Sequence, residues 1–281
     1  MKPEWTGLPK TATGRGRRAR AAAEKIIRRF GYLQLDTVAI AGARSHAIVL
    51  MSRLGRFDPG LAEELLKPGI PLFEYWGHEA SWLPMELYPI FSFRREEFRH
   101  HPWWGDLIGQ HPDVAKDLLR RIQDEGPLRS LDMEGQGSSG WWDLKTAKKV
   151  ATALWSSGEL AIRERKNFQR TYDLAERVIP ARWREECCSK GEALEFLLLK
   201  ALDGHGWANT GTLSQTWRLR NAQKEIRTAL ENLTEAGHIV GCAVVPDDGP
   251  SKAGWIRPTD LDLAAKLERT RPPRNRGVLL S

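Results

Sequence analysis

The chain has 281 residues, of which 41% are hydrophobic and 28% are charged, and its net charge is +7. This composition is that of a soluble globular protein with room for two or three small domains, and it excludes a disordered chain. Met1–Lys10 lacks the apolar core of a signal peptide, and no segment reaches the roughly 20 apolar residues of a membrane span. We therefore expect a cytoplasmic protein, whose basic excess is compatible with a polyanionic partner.

The first predicted helix has a strongly basic face. Ala22, Ile26, Ile27 and Phe30 recur at helical spacing, which predicts a helix that buries this stripe and ends at Gly31. Six arginines fall between positions 15 and 29. They form either a solvated face or a set of phosphate contacts, and their density favours phosphate contacts.

A glutamine and an aspartate follow this helix two positions apart, in the run Gln34-Leu35-Asp36. Residues i and i+2 share one face of an extended segment, so the carboxamide and the carboxylate would point into the same space. Asp36 can then act as a base or stabilise a cation, while Gln34 can orient a water or a sugar. The alternative is that the pair only caps a turn.

Two more helices are predicted between residues 41 and 68. Apolar residues at helical spacing predict the first of them within 41–54. Asp58 as N-cap and Pro59 as first residue predict the start of the second, which ends near Pro68-Gly69.

Aromatic residues dominate the segment that follows. Leu72–Gly77 favours an extended conformation. The Pro84-Met85-Glu86 sequence predicts the start of a helix that runs through Phe98, and residues 100–112 are expected to be a connector.

Acidic residues in this segment are candidates for a supporting role. Glu74 and Glu79 have aromatic or apolar neighbours, and a structural hydrogen bond is the favoured role for each taken alone. His78-Glu79 lacks a second histidine four residues on, so the zinc protease pattern is absent. No cysteine or histidine spacing predicts a metal, and no nucleotide-binding or serine hydrolase motif occurs, so we expect no cofactor.

Helices followed by a hairpin occur twice in the second half of the chain. Helical patterns at 114–126 and 144–158 precede two predicted strands within 160–172, and the same order recurs between 194 and 256. This order is typical of a winged helix. We therefore predict a mainly α protein with short β-hairpins and a tandem winged-helix (helix-turn-helix) architecture.

The first of these hairpins is basic. On extended arms its cations would reach phosphates or a minor groove. The alternative is that exposed hairpins are charged for solubility and that a winged helix mediates protein contacts. The residues concerned are Arg163, Arg165, Lys166 and Arg170.

Four segments describe the predicted organisation. Residues 1–110 form a helical or helix-turn-helix unit that contains the Gln-Leu-Asp motif. Residues 111–185 form a winged helix with a basic wing, and residues 186–268 form a second winged helix. Residues 269–281 are a tail.

Several motifs together resemble those of the bacterial winged-helix DNA glycosylases of the YcaQ/AlkZ kind. The resemblance is strong over about 30–180 and loose over 190–281. It is carried by Gln34–Val38, Arg44-Ser45-His46, Ser52–Gly55, Leu72–Ser81, Leu83-Pro84, Gly140-Trp141-Trp142, Lys145–Lys148, Ser157–Leu160 and Phe168–Pro180.

The resemblance implies an enzyme that excises alkylated bases and unhooks DNA interstrand crosslinks. It implies that Gln34 and Asp36 are the catalytic pair, in the Gln-apolar-Asp form of the broad-specificity YcaQ branch. It also implies a β-rich C-terminal domain, which we expect to be absent from a chain that stops at Ser281.

From this resemblance we predict a DNA glycosylase that hydrolyses the N-glycosidic bond of N7-alkylated purines, and we expect it to be monofunctional because no lysine adjoins the motif to form a Schiff base. The predicted partner is alkylated or crosslinked double-stranded DNA, bound by a nucleoid-associated monomer. Arg44, His46 and Arg53 are expected to contact the DNA backbone near the site, and Glu74, His78 and Glu79 to support it. Two alternatives stay open: a non-catalytic DNA-binding protein, either a regulator or a decayed glycosylase, and a protein-interaction module.

Overall fold

The structure is a computed structural model that describes residues 16–36, 44–54, 58, 60–65, 71–133, 141–186, 188–246 and 248–270. Helices predominate in the described residues, and the strands are short and form three small three-stranded sheets. This confirms the prediction of a mainly α protein with short β elements.

The helices and strands have the following bounds. The helices are α1 (Arg17–Phe30), α2 (Ser45–Leu54), α3 (Gly60–Glu64), α4 (Ser92–Glu97), α5 (Leu107–Gln110), α6 (Pro112–Glu125), α7 (Trp141–Ser157), α8 (Ala175–Val178), α9 (Ala181–Glu185), α10 (Lys190–His205), α11 (Thr210–Thr216), α12 (Gln223–Glu235) and α13 (Leu261–Glu268). The strands are β1 (Leu33–Gln34), β2 (Leu72–Trp76), β3 (Ala80–Pro84), β4 (Leu128–Arg129), β5 (Leu160–Lys166), β6 (Gln169–Leu174), β7 (Trp207–Ala208), β8 (Val240–Val244) and β9 (Lys252–Ile256).

Contacts divide the chain into two compact units. Unit 1 is composed of Met1–Asp58, Gly77–Ser81 and Lys190–Ser281, and unit 2 of Pro59–Trp76 and Trp82–Ser189. The predicted boundaries near residues 110, 185 and 268 stay a prediction. Most of the predicted tail lies outside the described residues.

In unit 2 the element order is α6, β4, α7, β5, β6, and the sheet order is β4-β6-β5. Strands β5 and β6 pair antiparallel around a tight turn at Asn167 and Phe168, both of which have positive φ (51° and 65°). Two left-handed residues match the twist of the flanking strands. The predicted pair of strands in a basic hairpin is therefore confirmed, while residues 134–140 lie outside the described residues.

Unit 1 repeats much of this order as α10, β7, α11, α12, β8, β9, with sheet order β7-β9-β8. Helix α11 was not predicted between the helical and hairpin patterns of 194–256. Asn209 caps this helix, since its side-chain oxygen accepts a hydrogen bond from the Thr212 N–H at 2.7 Å. The tandem winged-helix interpretation depends on this repeated order and stays a prediction.

The helix predicted after Pro84 is also corrected. The chain forms short 3-10 turns at Met85–Leu87 and Pro89–Phe91 before α4 begins. Pro89 has no N–H to continue an α-helical ladder. The expected connector at 100–112 contains α5, whose N-cap Asp106 accepts a hydrogen bond from the Gly109 N–H at 2.8 Å.

A buried carboxylate organises the core of unit 2. The Glu74 side chain is fully buried in β2, where Arg165 donates from Nη2 at 2.6 Å and from Nε at 2.7 Å, and Arg170 donates from Nε at 2.8 Å. Burial by itself would raise the pKa of Glu74, but the charges of Arg170 and Arg165 outweigh it and hold the pKa below its ordinary value. The Arg170 guanidinium also lies 4.3 Å from the centroid of the Trp155 ring. Glu74 thus fixes both arms of the β5–β6 hairpin.

Glu74→Gln is expected to lower the free energy of unfolding by about 3–5 kcal/mol, because removing one partner leaves two buried guanidinium charges without a carboxylate. Urea denaturation followed by circular dichroism measures the change. The matched control is Asp132→Asn, which removes a half-exposed pair with Arg129 and should leave the unfolding midpoint where it is. Equal midpoints for the two variants would show that Glu74 does not hold the hairpin.

Candidate functional site

The end of α1 sets the direction of the chain into the candidate site. Gly31 caps the helix with φ 85°, and its N–H donates to the Ile27 carbonyl at 2.7 Å. A Cβ at this position would overlap the indole of Trp217, with Cζ2 at 2.8 Å. Only glycine allows both this left-handed conformation and this approach. The prediction that the helix ends at Gly31 is confirmed.

The Gln-Leu-Asp motif begins in strand β1, and burial alternates from one residue to the next along it. Leu33 and Leu35 are buried, whereas Tyr32, Gln34 and Asp36 are half-buried on the other face. The Leu35 N–H donates to the Ala80 carbonyl at 2.8 Å, which fixes the segment beside the start of β3. The carboxamide and the carboxylate therefore share one face of an extended segment, as their spacing predicts.

Two clefts of unit 1 meet at Gln34. One has a volume of about 590 Å³ and the other about 620 Å³. Both are lined by Tyr32, Gln34, His205 and Thr216. Gln34 thus lies in a wall common to two openings, each within the size range of about 300–1,000 Å³ that is usual for ligand sites.

His205 is a polar group of this site that sequence patterns missed. Its Nε2 lies 2.9 Å from the Thr216 hydroxyl, which itself donates to the Thr212 carbonyl at 2.8 Å. Because the hydroxyl proton is used in that bond, Nε2 must carry the hydrogen and Nδ1 is the acceptor of a neutral ring. Burial lowers the pKa of His205 below its ordinary value, which favours the neutral form.

The loop that contains His78 and Glu79 is fastened to the end of α11. His78 Nδ1 lies 2.9 Å from the Gln215 carbonyl, and His78 lines the 620 Å³ cleft together with Gln34. Glu79 forms an ion pair with Arg218, whose Nη1 also lies 3.4 Å from the His78 carbonyl. The fold therefore brings His78 to the site and uses Glu79 to hold the loop.

The three residues expected to contact the DNA backbone differ in position. Arg53 lines the 590 Å³ cleft, where it donates to the Val49 carbonyl at 3.3 Å and lies over the Phe30 ring. Arg44 is half-buried just before α2, and its carbonyl accepts the first hydrogen bonds of that helix. His46 is only 1% exposed, so in this conformation it lies in the core of unit 1 and does not present a surface for phosphate.

The basic residues of the β5–β6 hairpin also differ. Arg165 and Arg170 contact Glu74, and the Arg165 side chain is only 6% exposed. Arg163 is exposed and pairs with the buried carboxylate of Asp173 at 3.0 Å, while Lys166 is exposed at the tip. Of the four, Arg163 and Lys166 have the exposure that a phosphate contact needs.

No motif marks His205 or Thr216 in the sequence, since they follow Gln34 by about 170–180 positions. A weak signal existed in Asn209, because an N-cap residue predicts a helix after it and would have placed Thr212 and Thr216 on one face. That they line the same clefts as Gln34 is a result of the tertiary structure.

Within the described ranges, no group of three or more His, Cys, Asp or Glu side chains is placed to hold a metal ion. Among those same residues, none of the helices is both long and apolar enough to cross a membrane.

Comparison with known proteins defines the class. The family model described as "DNA glycosylase AlkZ-like" matches residues 27–281. The chain therefore belongs to the AlkZ-like DNA glycosylase family. The structure is similar to that of the Streptomyces sahachiroi DNA glycosylase AlkZ, with a TM-score of 0.58 and 14% sequence identity. The similarity covers 89% of this chain and 67% of that one, and at this identity it shows a shared fold.

Gly31→Ala is expected to reduce the stability of unit 1 and to displace β1, because the new methyl group overlaps the Trp217 ring. The matched control is Gly206→Ala, at the end of α10 in the same unit, where φ is 73° and no atom lies within 4 Å of an added Cβ. The control isolates the cost of the left-handed conformation, about 1–2 kcal/mol. Thermal unfolding of both variants should show a larger loss for Gly31→Ala, and equal losses would contradict the close-approach argument.

Proposed function

We propose that this protein is a DNA glycosylase that hydrolyses the N-glycosidic bond of N7-alkylated purines in double-stranded DNA. The observation that carries the proposal is the alternating burial of residues 32–36, which leaves Gln34 and Asp36 half-buried on the same side, with Gln34 in the wall of two clefts. Membership of the AlkZ-like DNA glycosylase family supports it.

The chemistry needs few groups. An N7-alkylpurine is cationic, so it leaves without being protonated and no general acid is required. The enzyme has to stabilise an oxocarbenium-like sugar and to place a water molecule at C1′. Asp36 supplies the negative charge beside the developing cation, and Gln34 orients the water through its amide. A crosslink through N7 of guanine has the same cationic leaving group, so we include it in the proposed substrate class.

The same chemistry accounts for a neutral histidine. With Nε2–H donated to Thr216, Nδ1 is the acceptor of the His205 ring, and His205 lines both clefts. A neutral ring can hydrogen-bond a water or a sugar hydroxyl and does not repel a cationic base. A lysine is also absent from the motif, and we therefore propose monofunctional hydrolysis and not Schiff-base chemistry.

We propose that two winged helices bind the DNA, one formed by α6 to β6 in unit 2 and the other by α10 to β9 in unit 1. In unit 1, Arg53 and Arg44 lie near the motif. In unit 2, the exposed cations of the hairpin are Arg163 and Lys166, and Glu74 fixes the strands that carry them through Arg165 and Arg170. We propose that the exposed cations contact phosphates.

Asp36→Asn is expected to slow base release from DNA that contains 7-methylguanine by about 10²–10³-fold, because the charge that stabilises the sugar cation is lost. Gln34→Ala should also slow release, since the water is no longer oriented. Single-turnover assays with enzyme in excess measure both rates without a contribution from product release.

The control for these variants is Asp262→Asn, which removes an exposed carboxylate of α13 in the same unit and should leave the rate unchanged. Duplex binding is measured in parallel. If the wild type and Asp36→Asn bind duplex and release base at the same slow rate, the protein is a non-catalytic DNA-binding protein.

His205 is expected to impose an acid limit on the rate. Burial lowers its folded pKa, so the ring gains its charge at a lower pH than an ordinary histidine. The protonated ring would then repel the cationic base and sugar, and the rate of base release falls. Single-turnover pH profiles should show this additional loss in the wild type and not in His205→Gln. Superimposable acid limbs would exclude a role for His205.

A further inference from the structure

The Trp103-Trp104 pair in unit 2 is not used by the proposed reaction. Trp104 stacks on His101 with ring centroids 3.4 Å apart and planes at 3°. His101 is 4% exposed, and its Nδ1 accepts a hydrogen bond from the Trp103 N–H at 3.2 Å. The backbones of His101 and Gly105 also exchange hydrogen bonds at 2.8 and 3.2 Å. Trp104 is therefore held rigidly by a closed turn and a buried neighbour.

A separate cleft of about 340 Å³ lies beside this ring, within unit 2. Its lining combines an aromatic and apolar floor with three ammonium groups and includes no carboxylate. The lining residues are Trp104, Leu107, Lys145, Lys148, Lys149 and Thr152.

The lysines lie on one face of α7, at spacings of three and four residues. The opposite face of this helix is buried through Ala147, Val150, Ala151 and Leu154. Neither Lys148 nor Lys149 has an Asp or Glu three or four positions away on the helix, so no carboxylate at that spacing offsets their charges. Like charges at this spacing disfavour the helix, and an anion in the cleft would relieve that repulsion.

We propose that this cleft binds an unpaired nucleotide of a DNA strand, with its base stacked on Trp104 and the neighbouring phosphates held by Lys145, Lys148 and Lys149. A rigid aromatic ring beside a basic groove is the arrangement that binds single strands without sequence preference. The proposal rests on the proposed function for the identity of the nucleic acid as DNA. It adds a contact site in unit 2 that is separate from the Gln34 and Asp36 motif of unit 1.

An unpaired base is the occupant that the ring favours. Bases inside an intact duplex are stacked on one another and do not offer a face to a protein side chain, whereas an unpaired base does. A single aromatic ring with flanking lysines therefore distinguishes unpaired from paired DNA, because phosphate contacts are common to both and stacking is not.

The test measures the binding of the full chain to a fluorescein-labelled dT 12-mer, and to the same oligonucleotide in a duplex, by fluorescence anisotropy over a range of salt concentrations. Lys148→Ala/Lys149→Ala should weaken 12-mer binding and reduce the slope of log affinity against log salt by about 1.4, which is the value for two phosphate contacts on a single strand. The control is Lys116→Ala/Lys266→Ala, which removes two exposed lysines from α6 and α13 and should leave the slope unchanged.

Trp104→Leu should lower affinity for the 12-mer by about fivefold or more, the loss typical of one stacked base, with a smaller loss for the duplex. Circular dichroism establishes that the variant is folded, and Trp104→Phe should retain most of the affinity if stacking is the cause.

Three results would overturn the proposal. The first is a salt slope for Lys148→Ala/Lys149→Ala that equals that of the control. The second is an equal loss of single-strand and duplex affinity in folded Trp104→Leu. The third is competition by free dTMP at the same nucleotide concentration as the 12-mer, which would make the cleft a mononucleotide site. Two separate measurements distinguish this proposal from the proposed function. Loss of base release in Asp36→Asn tests the reaction, and the salt slope of Lys148→Ala/Lys149→Ala tests this cleft.

Discussion

The close approach of Gly31 to the Trp217 indole is the constraint on which the candidate site depends. It stops α1, reverses the chain in a left-handed residue and starts β1 in a fixed register. Trp217 is fully buried, and its Nε1 donates to the Leu197 carbonyl at 2.6 Å. Tyr32 packs edge-on against the same ring. The position of Gln34, two residues after Tyr32, is thus determined by Trp217, which is distant in the sequence.

A second constraint, in unit 2, decides what the basic hairpin can do. A buried carboxylate is tolerated only when paired, and Glu74 is paired with two guanidinium groups. Arg165 and Arg170 are therefore bound to Glu74 in the core, whereas Arg163 and Lys166 are exposed. The sequence predicts that all four cations of this hairpin contact DNA. The ion pairs with Glu74 give two of them a structural role, and the other two stay exposed.

The chemistry proposed for unit 1 is consistent with its surroundings. Gln34 lines the same clefts as a histidine whose pKa is lowered by burial, and the carboxylate of Asp36 follows two residues on; these groups suit the stabilisation of a cation better than the protonation of a leaving group. Membership of the AlkZ-like DNA glycosylase family is in line with this class of reaction. The aromatic and lysine cleft of unit 2 has a different composition, with no carboxylate in its lining, and suits phosphates and bases.

The sequence by itself determined the local features: the amphipathic α1, its end at Gly31, the shared face of Gln34 and Asp36, and the hairpin predicted within 160–172. These depend on periodicity and on residue conformation within a few positions, and both are visible in the chain. Helix α11 and the break at Pro89 were not predicted. The Asn209 cap starts α11, and the missing N–H of Pro89 interrupts the helix that the apolar pattern predicts. Only the tertiary structure decided that His205 and Thr216 adjoin Gln34, that His46 is buried, and that Glu74 binds Arg165 and Arg170. The physical reason is that burial and ion pairing depend on which distant segments pack together, and no local spacing encodes that choice.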